Sequence, residues 1–121
     1  MKPTQERIEQ VKQQYPDRAL FAVDAVDGDD EIQTFLMTGP TRGEYRIFVD
    51  KMIEAREQKN ESDRLWAIRL AVENAALCQI RWPEKDECKR IFDSRPEMVD
   101  GFASELQKAA GSNIELRSKK L

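Results

Sequence analysis

The sequence predicts an α+β fold that is mostly α-helical: a β-hairpin packed against a bundle of about four helices, with an additional N-terminal helix. Three observations predict it. Two runs rich in β-branched and aromatic residues flank the turn-forming segment DGDD, apolar residues recur at helical spacing along most of the remaining chain, and proline or glycine separates the helical segments. A length of 121 residues suits one domain with its own core.

The first predicted element is an N-terminal helix over residues 4–15. Ile8, Val11 and Tyr15 lie at helical spacing among polar residues. Thr4 suits the N-cap, since its hydroxyl can accept a hydrogen bond from a backbone N–H of the first turn, and Pro16 should end the helix. This helix is expected to bury only a narrow apolar stripe.

A β-hairpin is predicted over residues 19–38, where ALFAVDAV and EIQTFLMT form the strands and Asp27-Gly28 forms the turn. A two-residue turn pairs Val26 with Asp29. The face expected to contact the helices then carries Phe21, Val23, Ile32, Thr34 and Leu36. The other face carries Leu20, Ala22, Phe35 and Met37, and another part of the chain must cover it.

Helices are predicted through residues 42–110, and the first of them has the clearest start. Gly39-Pro40 ends the preceding strand, Thr41 suits the N-cap, and Glu44 three positions later completes a capping box. An apolar stripe follows at helical spacing, formed by Tyr45, Phe48, Val49, Met52 and Ile53. We expect this stripe to lie in the core.

The segment RLWAIRLAVENAALCQI is predicted to be the central helix, because it is apolar around much of its circumference. Trp82-Pro83 should close it, since the residue before a proline is disfavoured in the α region. The next predicted helix, PEKDECKRIF, places Cys88, Ile91 and Phe92 on one side.

The last predicted helix lies in SRPEMVDGFASELQKAAG, with Pro96 near its start and Gly111 as its C-terminal stop. Its stripe consists of Val99, Phe102, Ala103 and Leu106. The remaining SNIELRSKKL has little apolar content to hold it against the rest of the chain. The predicted organisation is therefore a single α+β domain over residues 1–111 and a mobile C-terminal tail over residues 112–121.

Composition excludes several classes of function. The chain contains no histidine, which removes the commonest general base and a frequent metal ligand. Its 20 basic and 23 acidic residues are interspersed, so no nucleic-acid-binding surface is expected. No apolar run is long enough to span a bilayer and MKPTQERIEQ lacks a signal-peptide core, which predicts a cytoplasmic protein with no membrane partner.

The most site-like cluster is DAVDGDDE, which concentrates Asp24, Asp27, Asp29, Asp30 and Glu31 around one glycine. An EF-hand calcium loop needs a bidentate acid six positions after its glycine, and this chain has Thr34 there. A solvated turn is therefore favoured over a weak cation site. Cys78 and Cys88 match no zinc or redox spacing, and both are expected to be buried small apolar residues.

Glu73 and Asn74 form a polar pair inside the central helix that could face a pocket, although the solvent side of the helix is the favoured place for them. The aromatic residues expected mainly in the core are Phe48, Trp66, Trp82, Phe92 and Phe102. Together the broad helical stripes exceed what one thin domain covers, which favours self-association or a partner helix. No catalytic, cofactor-binding or metal-binding residue is assigned, and neither enzymatic activity nor a small-molecule substrate is expected.

Three stretches carry a family resemblance: FLMTGPTRGEYRIFVDKM, AVENAALCQIRWP and SRPEMVDGFASELQKAAG. In this order, from Phe35 to Gly111, they are an apolar strand with a proline-containing break and an aromatic helix, a central helix, and a proline-started helix that ends in glycine. The order resembles the tail assembly chaperones of long-tailed bacteriophages. The resemblance implies a small non-enzymatic protein of the bacterial host cytoplasm that binds and solubilises the phage tape measure protein and helps the tail tube protein to assemble.

Two other classes of function remain open. A structural virion component, such as a small tail or head connector subunit, would be present in mature particles, whereas a chaperone would be missing from them. A small DNA-associated regulator would need its basic residues gathered on one face. A homo-oligomer is compatible with all three readings.

Overall fold

The computed structural model describes residues 1–26, 28–111 and 117–120, and in them it contains five helices and one three-stranded antiparallel sheet of order β1-β2-β3. The strands are β1 (Leu20–Val26), β2 (Ile32–Thr38) and β3 (Ile80–Trp82). The helices are α1 (Gln5–Gln14), α2 (Arg42–Arg56), α3 (Glu61–Gln79), α4 (Lys85–Ser94) and α5 (Met98–Ala109). The predicted α+β, mostly helical fold is confirmed.

Side-chain caps start three of the helices. The Thr4 hydroxyl accepts a hydrogen bond from the Arg7 N–H at 3.1 Å, as predicted for α1. Both halves of the predicted capping box are present in α2, where the Glu44 N–H donates to Thr41 Oγ1 at 3.2 Å and the Thr41 N–H donates to Glu44 Oε1 at 3.0 Å. Asn60, which was not predicted as a cap, begins α3 by accepting hydrogen bonds from the first-turn N–H groups.

The hairpin exists, but its predicted register is wrong. Val26 pairs with Ile32, so residues 27–31 connect the strands in place of a two-residue turn, and Asp27 lies outside the described residues. The pairing partner of Val26 therefore moves by three positions, and an odd shift exchanges the two faces of β2. Phe35 and Met37 enter the main core, whereas Thr34 and Leu36 face the other way.

The face of the sheet that points away from the main core is buried along β2. Thr34, Leu36 and Thr38 are buried there, and Tyr15, the C-cap residue of α1, is connected to Thr38 through Arg81. Arg81 of β3 makes the link, since its Nε donates to Thr38 Oγ1 at 3.0 Å and its guanidinium carbon stands 4.3 Å from the Tyr15 ring centroid. The Arg81 and Tyr15 side chains therefore cover this face near Thr38, whereas Ala22 and Val26 of β1 stay exposed on it.

Three phenylalanines form the centre of the main core. Phe35 of β2 lies 5.2 Å from Phe102 of α5 and 6.0 Å from Phe92 of α4, measured between ring centroids. Phe92 and Phe102 are 5.7 Å apart and meet edge to face, a favourable aromatic geometry. Around them pack other buried residues from β2, α3, β3, α4 and α5, namely Met37, Val72, Ala76, Ile80, Cys88, Val99 and Leu106. The predicted stripes of α4 and α5 are confirmed.

The short strand β3 was not predicted. The central helix ends at Gln79, and the next three residues pair antiparallel with β2, Ile80 opposite Met37 and Trp82 opposite Leu36. The predicted run of helices over residues 42–110 is therefore interrupted by a strand. Trp82 is followed by a cis peptide bond to Pro83, and α4 begins at Lys85.

The expectation that the α2 stripe lies in the core is wrong for Tyr45 and Ile53, and none of the five stripe residues is fully buried. Phe48 packs against the core, but Tyr45 and Ile53 remain 46% and 49% exposed. Ala55 is the buried residue of α2, and α2 packs mainly against α3. Val49 and Met52 are half-buried, so the outward-facing members of the stripe are Tyr45 and Ile53.

At the C-terminal end, α5 stops as predicted. Gly111 has a φ of 98°, the left-handed conformation that ends many helices. Of the predicted mobile tail, residues 112–116 and 121 lie outside the described residues, and residues 117–120 form no regular secondary structure.

Candidate partner-binding surface

The predicted acidic cluster is distributed over a strand and a loop. Asp24 lies in β1, where its Oδ1 accepts a hydrogen bond from the Thr34 hydroxyl at 2.6 Å. Asp29, Asp30 and Glu31 lie in the connection to β2, and Asp30 adopts a φ of 61°. Within the described part of the chain, no three acidic or cysteine side chains are grouped closely enough to hold a metal ion.

The two polar residues of the central helix do not form one site. Glu73 is half-buried and lines a groove between α3 and the α4–α5 turn, whereas Asn74 is exposed and lines a cleft between α3 and α2. Adjacent positions on a helix point in directions about 100° apart, so the two side chains face different neighbours.

The two cysteines differ, and the expectation of burial is wrong for Cys78. Cys88 is fully buried, its Sγ lies 3.3 Å from the Pro83 carbonyl oxygen, and burial together with the nearby Glu87 raises the pKa of its thiol to about 11. Cys78 is exposed on α3. Cys88 is buried because its side of α4 packs into the main core, whereas Cys78 lies on a side of α3 that the core does not cover.

Large apolar side chains stay exposed along the helical hairpin that α2 and α3 form. Ile47 is 63% exposed, Trp66 is 64% exposed and Leu70 is 57% exposed. We call the exposed set the hairpin apolar surface, and it comprises Tyr45, Ile47, Ile53, Leu65, Trp66 and Leu70. Trp66 and Leu70 lie one turn apart on the same face of α3, and exposed apolar side chains that adjoin in this way are characteristic of sites that bind another protein. Trp66 was predicted to lie mainly in the core, and the structure contradicts that expectation.

Part of this surface borders a groove of about 490 Å³ between α3 and the α4–α5 turn, which we call the α3–α5 groove. Trp66 and Leu70 form one wall, while Phe92, Pro96 and Val99 contribute apolar surface from the other side. Phe92 and Val99 are core residues, so the base of the groove reaches the main core. The groove therefore has an apolar base, and packed helices form its sides.

Charged residues rim the α3–α5 groove, and most of them are acidic: Glu73, Asp93, Glu97 and Asp100. The basic residue among its lining is Arg69, whose guanidinium is held by Asp100 through bonds of 3.1 and 3.3 Å and lies 5.2 Å from the Trp66 ring centroid. The acidic excess makes the rim negative. A ligand that carries positive charge beside an apolar stripe complements this groove.

A second, smaller cleft of about 80 Å³ lies between α2 and α3 and is lined mainly by apolar atoms. Ile47 and Phe48 contribute from α2, and Ala71, Ala75 and Cys78 contribute from α3. Gln79 lines the same cleft, and its Oε1 is buried without a hydrogen-bond partner in the described part of the chain. The cleft has room for one side chain.

Comparisons with protein-family models, with curated proteins and with solved structures found no match for this chain. Within the described residues, none of the helices combines the length and the apolar character that crossing a membrane requires.

Proposed function

We propose that this protein is a non-enzymatic tail assembly chaperone of a long-tailed bacteriophage, which binds the phage tape measure protein in the host cytoplasm and keeps it soluble while the tail tube forms around it. The observation that carries the proposal is the hairpin apolar surface, where Trp66, Leu70 and Ile47 are each more than half exposed. Such residues bind the apolar stripe of an amphipathic helix in helix-in-groove recognition.

The resemblance supports the same function. The stretch FLMTGPTRGEYRIFVDKM forms β2, the break at Pro40 and the capped helix α2, and SRPEMVDGFASELQKAAG forms the turn into α5 and its end at Gly111. In this proposal α2 and α3 form a rigid surface that presents apolar side chains to the partner. The capping box stabilises the first turn of α2 and so helps to keep this surface ordered. No reactive residue is needed, because the protein only has to bind the partner's apolar stripe and shield it from water.

The lining of the α3–α5 groove supports a basic amphipathic helix as the partner. An amphipathic helix whose apolar stripe is flanked by Lys or Arg would place its stripe on Trp66 and Leu70 and its charges against the acidic rim. Apolar burial supplies most of the affinity, so binding should survive high salt, while the association rate should fall as salt screens the rim. One long tape measure chain would bind several copies of this protein, and nucleotides would have no effect.

The test is co-expression with the long helical reading frame downstream of the gene, followed by pull-down and mass measurement at low and high salt. The tape measure protein should be soluble only when this protein is present. Leu70→Ser should abolish that rescue, whereas Arg46→Ser, on the exposed polar side of α2, should preserve it. A tape measure protein that stays in the pellet with the wild-type chaperone contradicts the proposal.

The second candidate function is a structural virion component, and the same exposed apolar surface would then bind neighbouring subunits of the particle. Mass spectrometry of purified virions separates the two functions. A chaperone should be missing from them, whereas this protein at a fixed stoichiometry in mature particles would favour the structural role.

A further inference from the structure

The outer edge of β1 is unpaired, and the register identifies which of its backbone groups point outward. The Gly39 N–H donates to the Ala19 carbonyl oxygen at 3.1 Å, in line with the β1–β2 register. In an antiparallel pair, alternate residues exchange hydrogen bonds with the partner strand. The odd-numbered residues of β1 therefore face β2, and the outward groups belong to Leu20, Ala22, Asp24 and Val26.

The other edge of β2, which faces away from β1, confirms this alternation and is paired. On β2, the even-numbered Thr34 donates its N–H to the Met1 carbonyl oxygen at 2.9 Å, and the Met1 amino group donates to the Ile32 carbonyl oxygen at 2.6 Å. Strand β3 pairs with the rest of that edge. Among the described residues, none pairs with the outer edge of β1.

Strand β1 also lacks the features that usually prevent edge-to-edge pairing. It is seven residues long, LFAVDAV, with no proline and no lysine. Its one charge is Asp24, which already accepts a hydrogen bond from Thr34. Ala22 and Val26 are exposed on the same face of β1. An unprotected edge of this length can accept a further strand.

We propose that β1 pairs antiparallel with β1 of a second copy of this chain, around a two-fold axis at Val23. Val23 is the middle residue of the strand, so this register gives every outward N–H and C=O from Leu20 to Val26 a partner. Ala22 then lies opposite Asp24 of the second copy. A register centred on Asp24 would place two carboxylates directly opposite each other, which is destabilising.

The same pairing also forms apolar contacts on the face of β1 that points toward the core. Phe21, Val23 and Ala25 are half-buried in one copy. In the paired register Val23 meets Val23 of the second copy and Phe21 meets Ala25, so apolar cross-strand pairs form at the two-fold axis. The two sheets become one continuous sheet, and the α3–α5 groove takes no part in the contact.

Two substitutions at one exposed position test both the interface and its register. Ala22→Lys places a positive charge opposite Asp24 of the second copy, and Ala22→Asp places a negative charge there. Sedimentation should show a dimer that Ala22→Lys tightens and Ala22→Asp weakens, with dissociation constants on the order of tenfold apart. Melting temperatures of the dilute variants check that folding is unchanged. Equal dissociation constants, or a wild-type monomer at the highest soluble concentration, would overturn the proposal.

Hydrogen exchange locates the contact independently. The amides of Ala22 and Asp24 should exchange more slowly in the dimer, whereas those of Phe21 and Val23, which already face β2, should not change. Ala22→Pro removes one outward donor and should yield a monomer, while Leu70→Ser should keep the dimer. A dimer that persists in Ala22→Pro and disappears in Leu70→Ser would assign the contact to the hairpin apolar surface. These experiments measure dimer formation and not tape measure binding. The dimer proposal can therefore fail while the proposed chaperone function holds, and the reverse is also true.

Discussion

The main core and the helical hairpin contain similar kinds of side chain and cover them very differently. Phe35, in the core, is completely buried between α4 and α5, whereas Trp66, on α3, is 64% exposed. Both occupy positions that sequence patterns assign to apolar faces. The difference teaches that β2, α3, β3, α4 and α5 contribute buried residues to one core, and that α2 and the rest of α3 carry apolar side chains that this core does not cover.

The largest expected effect is on the core side. Phe35→Ala removes a fully buried ring that contacts both Phe92 and Phe102. A loss of about 3 to 5 kcal/mol in the free energy of unfolding is expected, against a total of about 5 to 15 kcal/mol for a domain. Urea denaturation followed by circular dichroism measures it. A loss below about 1 kcal/mol would show that the core can close around the cavity, contrary to the tight packing described above.

The boundary between the two regions passes through α2. Phe48 is half-buried against the core, so Phe48→Asp should lower the free energy of unfolding by about 2 kcal/mol or more. Lys51→Asp, on the same helix, loses only an exposed 3.4 Å pair with Glu54 and should cost less than about 0.5 kcal/mol. Equal losses in the two variants would place Phe48 outside the core.

Glu44 connects the helical hairpin to the sheet, and its ionisation should matter for stability. Burial alone would raise the pKa of its carboxyl, but hydrogen bonds from Thr41 and the Arg18 guanidinium outweigh burial and lower that pKa below its usual value of 4.5. Arg18 also donates through Nε to the Gly39 carbonyl oxygen at 2.9 Å. The carboxylate therefore ties the start of α2 to the segment before β1.

A lowered folded-state pKa contributes stability above the unfolded-state pKa, and this contribution is lost as pH falls through the folded-state pKa. Glu44→Gln should therefore cost about 1 kcal/mol at pH 7 and progressively less as the pH falls below 4.5. Urea midpoints of both proteins between pH 7 and pH 3 provide the comparison. A difference that stays constant, or grows, on acidification would exclude this role for the carboxylate.

Local chemistry explains which parts of the fold could be predicted. Caps such as Thr4 and the Thr41–Glu44 box depend on residues within one helical turn, and Gly111 ends α5 through its own backbone freedom. The register of the hairpin could not be predicted, because Leu36 and Phe35 are both buried and β2 therefore lacks a polar face.

The missed features depend on contacts between distant segments. The three residues of β3 are too few to show a strand pattern, and the strand forms because Leu36 and Met37 of β2 offer a free edge. The exposure of Trp66 and Cys78 depends on which side of α3 meets α2 and α5, and helical periodicity contains no information about that choice. For the candidate surface, the sequence predicts only that the helices carry more apolar residues than one domain can bury, and it does not identify which residues stay exposed.

Among the aromatic variants, the smallest expected effect on the free energy of unfolding is at Trp66, in the hairpin apolar surface, and it contrasts with the effect at Phe35. Trp66 contacts solvent over most of its area, and its stacking on Arg69 at an exposed site contributes about 0.5 to 1 kcal/mol. Trp66→Ser should therefore lower the free energy of unfolding by less than about 1 kcal/mol, although the side chain is as large as any in the core. Urea denaturation measured as for Phe35→Ala gives the value.

Fluorescence provides an independent control for this last variant. The chain has two tryptophans, and acrylamide should quench the exposed Trp66 more strongly than the half-buried Trp82, so Trp66→Ser should leave an emission that is harder to quench. If Trp66→Ser instead destabilises the protein by more than about 2 kcal/mol, Trp66 packs inside the free protein. The hairpin would then belong to the core, and its apolar side chains would not be available to a partner.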